Sequence, residues 1–164
     1  MQFEALRVAI GHVGLICDRR VHKVSHHFMD LATAKRARGE KVEAFGPGLL
    51  GYSGAAILAE IVHLANPVTM NCPPLDLDVE DHATLAPLTV DMTRRALGLL
   101  RQLVCIELLS GVKASQVIEP VALSSHSRQL IEWAMYTATS AGAGASGAEM
   151  LHALVEATPS RPAS

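Results

Sequence analysis

The chain is poor in the groups that announce the commoner function classes. Aromatic residues make up 4% of its 164 positions and Trp133 is the one tryptophan, so stacking platforms for bases or sugars have little to be built from. Charged residues reach only 18%, and 14 basic against 16 acidic side chains give a formal charge of −2. No basic tract stands out, which removes the electrostatic footprint of a nucleic-acid or anionic-membrane binder. The three cysteines, Cys17, Cys72 and Cys105, are odd in number and lack a Cys-x-x-Cys pair, arguing against a disulfide framework or a structural zinc site. No long apolar run escapes interruption: Leu97 to Val112 contains Arg101, Gln102 and Glu107 and falls short of the roughly 20 residues a membrane span needs. The opening residues show no basic flank followed by an apolar core, so no secretory signal is expected and the cytoplasm is the default compartment. Alternating strand patterns are missing as well.

What remains is helical periodicity in a chain that is 49% hydrophobic, enough to bury a core at this length. Phe3, Leu6, Ile10, Val13, Cys17, Val21, Val24, Phe28 and Leu31 recur at steps of three and four, predicting a first helix of about 29 residues and about 43 Å. A stripe that long asks for other long helices or other chains to pack against, and Gly11 and Gly14 permit close approach. The glycines between Arg38 and Gly54, with Pro47, predict a long loop. Ser53 is then placed to cap a short helix from Gly54 to Leu64, ended by Asn66-Pro67. Residues 68–86 read as irregular chain, and a second long helix is predicted from Pro87 to Gly111. Its two apolar rows, one through Leu88, Met92, Ala96, Leu99, Leu103 and Ile106 and one through Leu97, Leu100, Val104 and Leu108, predict burial on most sides. Further helices are expected near Ala122–Ala138 and Ala148–Ala157. The expected organisation is an all-α long-helix bundle, one helical domain over 1–158 with a disordered tail at 159–164.

Several candidate sites fail on context. Gly142-Ala143-Gly144-Ala145-Ser146-Gly147 matches the dinucleotide pattern, but a helix precedes it and no ribose-binding acid follows, so it reads as an inter-helix loop. His22 and His26, with Asp18 one turn earlier, share a helix face but find no third ligand, so no metal is expected. No Gly-x-Ser-x-Gly elbow anchors a nucleophilic triad. The cluster Asp78-Val79-Glu80-Asp81-His82 differs, because four ionisable groups crowd five residues just before the most apolar helix. Like charges and apolar walls push a carboxyl pKa upward, into the range useful for proton transfer; the alternative is a solvated turn that caps the helix.

Glu80-Asp81-His82, followed by a helix carrying Arg94-Arg95 and Cys105-Ile106-Glu107-Leu108-Leu109, resembles the C-terminal part of histidine and phenylalanine ammonia-lyases. Their signature there is Asn-Gln-Glu-Asp-His, then a helix with Ile-Glu-Leu-Leu. Asp18-Arg19-Arg20-Val21 is similar to the family's Glu-Arg-Arg-Ile, Gly48-Leu49-Leu50-Gly51-Tyr52-Ser53-Gly54 to its Gly-Leu-Asn-Ser-Gly loop, and Asn66-Pro67 to its His-Pro. The four pieces keep the family's order over roughly Phe3 to Val112. The resemblance implies a helical oligomer, homomeric or heteromeric, with active sites shared between subunits and a small-molecule substrate. It also implies that Glu80 is an acid/base carboxylate whose loop Asp78, Asp81 and His82 support. The family's electrophile, 4-methylideneimidazole-5-one, forms from an Ala-Ser-Gly tripeptide in an N-terminal part missing here; Ala145-Ser146-Gly147 spells it on the wrong side of Glu80. A larger partner chain is therefore expected to supply the electrophile, with this chain as small subunit or separately encoded C-terminal half. In place of the family's Asn-Gln stand Asp78 and Val79, which leaves room for a scaffold repurposed to isomerisation or cyclisation without the electrophile. A non-catalytic helical oligomerisation protein is the third alternative.

Overall fold

A computed structural model describes residues 2–42, 48–68, 85–117 and 123–158. Among them the chain forms five helices and no strand: α1 (Gln2–Ala37), α2 (Gly48–Leu64), α3 (Ala86–Ser115), α4 (Ser125–Thr139) and α5 (Gly147–Ala157). The all-α expectation holds. Helices α1, α2 and α3 pack against one another, while α4 and α5 form a hairpin laid on α3. The expected tail at 159–164 lies outside the described residues.

α1 runs for 36 residues, a turn or two beyond its predicted end, because the fully buried Ala32 continues the inward face past Leu31. That face is also rotated from the one predicted. Ile10, Cys17, Val21 and Phe28 are buried as expected, but Arg7, Gly11 and Gly14 complete the row, and Phe3, Leu6 and Val13 are exposed. Glycine stands where α1 meets the other helices: a Cβ built on Gly14 would lie 3.2 Å from Leu58 Cδ1 and 3.6 Å from Leu103 Cδ2. A larger residue on this side would push the helices apart.

The predicted loop from Arg38 to Gly54 is corrected. Helix α2 begins at Gly48, and Ser53 lies inside it rather than capping it. Gly51 and Gly54 are buried on the inward side of α2, where a Cβ on Gly54 would meet Leu103 Cδ1 at 3.4 Å. These glycines serve close packing, not a turn. α3 likewise passes through Gly111 to Ser115. Its burial is nearly all-round only from Cys105 onward; Leu88, Leu97 and Val104 are exposed.

Three core regions result, the smallest where Phe28 and Ala32 of α1 meet Ala114 of α3. Ile10, Cys17, Ile61, Leu64, Ala96 and Leu103 fill the junction of the first three helices. Val21, Leu50, Cys105, Ile106, Leu109, Ala134 and Leu154 tie in α4 and α5. The α4–α5 connection turns on Gly142 and Gly144, whose φ values of 116° and 84° suit glycine and few other residues. Arg101 of α3 then donates to the carbonyls of Val155 and Thr158, gripping the last turn of α5. Among the described residues, no helix is long and apolar enough to cross a membrane.

Candidate functional site

The expected site residues Asp78, Glu80, Asp81 and His82 lie outside the described residues. What the structure describes is the frame on either side of them. On one side α2 ends at Leu64 and leads through Asn66 to Val68; on the other Leu85, in a left-handed conformation at φ 46°, opens α3 with Pro87 in its first turn. Both sides are held by the first two turns of α1. The Arg7 side chain, fully buried, donates from Nε to Leu64 O at 2.7 Å and from Nη2 to Asn66 O at 3.3 Å. Its Nη1 donates to Thr89 O at 3.1 Å and Thr93 Oγ1 at 3.3 Å, and the Thr93 hydroxyl in turn donates to Thr89 O. One turn earlier, Glu4 Oε1 accepts the Val68 amide at 3.0 Å. Sequence reasoning missed Arg7, because an arginine beside an apolar stripe reads as surface; its one signal is its place three residues before Ile10 and seven before Gly14, in line with the buried row.

The motifs that resemble the lyase pattern meet in space. Arg20 of the Asp18-Arg19-Arg20-Val21 stretch is paired bidentately with Glu107 of the Cys105-Ile106-Glu107-Leu108-Leu109 stretch, Nε to Oε1 at 2.5 Å and Nη2 to Oε2 at 3.0 Å. Beneath the pair sits Cys17, whose thiol is pushed up to about 11 by burial first and by the Glu107 carboxylate second. Cys105 shifts upward for the same first reason. Both thiols are buried and free, as the cysteine reading expected; Cys72 lies outside the described residues. Gly54 of the third motif packs over Leu103 and Ile106, and its Cβ position lies 3.8 Å from Asp18 Oδ1. One ion pair and one close helix crossing therefore join three of the four pieces.

The histidine row forms part of a shallow groove between α1 and α2, about 520 Å³, lined by His22, Ser25, His26, Met29, Gly51 and Tyr52 among others. His22 donates from Nδ1 to Asp18 O at 3.0 Å, with Asp18 Oδ2 at 3.5 Å, so Nε2 is the nitrogen left for other partners. Among the described residues no group of three or more His, Cys, Asp or Glu could hold a metal ion. Ala145-Ser146-Gly147 is the N-terminus of α5: Ser146 Oγ accepts from the Glu149 amide while the Glu149 carboxylate accepts from the Ser146 amide, a complete capping box. The Ser146 amide holds the Glu149 carboxyl below the usual carboxylate range. A tripeptide whose serine caps an exposed helix does not fit an electrophile precursor.

Comparison with known proteins agrees with the meeting of motifs. The sequence is 23% identical over 128 residues to a histidine ammonia-lyase of Symbiobacterium thermophilum, an alignment covering 78% of this chain and 25% of that enzyme. The chain thus spans about a quarter of the length of the curated relative it matches. No solved structure matches. The family model for aromatic amino acid lyases matches residues 1–135, from α1 into α4, and the chain belongs to the aromatic amino acid lyase family.

Proposed function

We propose that this chain is one part of an ammonia-lyase-like enzyme and lends Glu80 to an active site completed by a larger chain carrying the N-terminal lyase part. The observation that carries the reading is apolar surface left open on three helices of a family member: Ile16 of α1, Leu97 and Val104 of α3, and Trp133 of α4 are each more than a third exposed. A helix bundle with 18% charged residues and this much open apolar surface is suited to burial in an assembly. The electrophile comes from the partner, since Ser146 here is a cap. Glu80 takes and returns the substrate proton, with Asp81 and His82 holding its loop.

The test is co-expression with the larger chain, size-exclusion with light scattering, and absorbance assays for cinnamate- or urocanate-type products. Expected are a two-chain assembly with ammonia-releasing activity and a loss of about 100-fold or more in turnover for Glu80→Gln. Full activity of the larger chain alone removes the subunit role, and unchanged turnover in Glu80→Gln removes the carboxylate. Asp78-Val79 favours a second reading, proton transfer without the electrophile. Its mark is turnover by this chain alone that Glu80→Gln abolishes.

A further inference from the structure

Asp18, His22 and His26 follow one another at intervals of four on one face of α1, and the two histidines line the groove against α2. By spacing alone this row is a polar stripe, but its packing gives it more. The His22 ring is held from behind: Nδ1 donates to Asp18 O at 3.0 Å with Asp18 Oδ2 at 3.5 Å, which fixes the neutral tautomer whose Nε2 carries the lone pair. That nitrogen faces Gly51 of α2, where a built Cβ would lie 4.0 Å away, so the missing side chain leaves room beside the lone pair. One turn on, His26 opens onto the same groove, and no lysine or arginine is among the described residues that line it. The Asp18 side chain is only 16% exposed, and its Oδ1 is buried with no hydrogen-bond partner among the described residues. A buried carboxylate with an unmet oxygen is costly and favours positive charge placed on the imidazole beside it.

We propose that His22 Nε2 and His26 form a binding site for a divalent transition-metal ion of the zinc class, with Asp18 as the carboxylate behind the His22 ligand and water in the remaining positions. Histidines four apart on a helix offer two imidazoles to one zinc ion. Two protein ligands make an open, exchangeable site, whereas the closed structural kind takes four, so the lack of a third protein ligand sets the kind of site rather than its existence. Imidazole suits zinc, copper and nickel; magnesium and calcium prefer oxygen. Every residue involved lies on α1 or α2, so the site is independent of the assignment of Glu80.

Calorimetric titration of the full, chelator-treated chain with Zn2+, read alongside imidazole NMR, tests the proposal. One ion binds per chain, and the ring signals of His22 and His26 shift together while those of His12 and His152 stay. His22→Ala and His26→Ala, both at exposed positions that the fold tolerates, each weaken binding beyond the titrated range. Asp18→Asn, acting through His22, weakens it by about tenfold or more, and His152→Ala leaves it unchanged. Cu2+ and Ni2+ compete for the site and Mg2+ does not. Undiminished Zn2+ binding when both histidines are replaced, shifts confined to other histidines, or no binding at sub-millimolar Zn2+ overturns the proposal. Unchanged affinity in Asp18→Asn overturns the part given to the carboxylate.

Discussion

Replacing Leu103 by alanine tests the packing that brings the family motifs together. Leu103 is fully buried where the first three helices cross, its two methyl groups lying 3.6 Å and 3.4 Å from where Cβ atoms on Gly14 and Gly54 would stand. Leucine-to-alanine changes in cores cost about 2.7–5 kcal/mol, more where the surroundings cannot collapse into the space. Here two of the walls are glycines without side chains to move, and Ile61 and Cys17 are already buried, so the upper half applies, about 4 kcal/mol. Against a total of about 5–15 kcal/mol this is a large share, and for a chain of this size it lowers Tm by about 8–16 °C. Urea and thermal unfolding followed by circular dichroism at fixed protein concentration measure it. A second variant sharpens the test. Gly14→Ala alone must displace Leu58 Cδ1 from 3.2 Å, whereas in the Leu103→Ala background the space vacated beside it gives Leu58 somewhere to move. The two changes should couple by about 1 kcal/mol or more. A cost below about 1.5 kcal/mol for Leu103→Ala, with strict additivity in the double variant, would refute the close three-helix crossing.

Two further outcomes follow from groups already described. Cys17 keeps its proton in the fold to about 11 while an unfolded thiol loses it near 9, so between those values the unfolded state binds fewer protons and stability falls as pH rises. The urea midpoint of the wild type should therefore drop more steeply from pH 9 to 11 than that of Cys17→Ala; equal slopes contradict the burial argument. Ser146→Ala removes one half of a capping box and should cost about 1 kcal/mol, seen as faster amide exchange confined to α5, with lyase activity in the assembly unchanged. Lost activity would return Ser146 to the electrophile question.

The heptad-like stripe made α1 legible because period is a property of sequence, but it did not specify which of the neighbouring rows faces inward. Phe3, Leu6 and Val13 carry the stronger apolar signal, yet the crossing helices require small residues, so Gly11 and Gly14 face inward instead. The same physics misled the reading of Arg38 to Gly54. Five glycines and a proline resemble loop chemistry, whereas Gly51 and Gly54 lie within α2, Gly51 facing His22 and Gly54 facing Leu103 and Asp18, partners distant in the chain. Two caps carry local signals that the expected bounds Ala122–Ala138 and Ala148–Ala157 do not use: Ser146 with Glu149 begins α5, and Ser124 begins α4. Gly111 shows the opposite case, where burial of Val112 and Ala114 carries α3 past a residue that would end an isolated helix. For the site, sequence resemblance identified the pieces, and the Arg20–Glu107 pair shows that they meet. The Arg7 junction was illegible because its acceptors are mostly backbone carbonyls, and every residue has one.

That last property has an evolutionary consequence. Three of the four oxygens held by Arg7 belong to the main chain, at Leu64, Asn66 and Thr89. Side chains at those positions can be exchanged over generations without altering what the guanidinium grips, as long as the two helix ends persist. Drift is thus permitted on one side of the contact and forbidden on the other, so among descendants of this chain the arginine should endure while its neighbours wander.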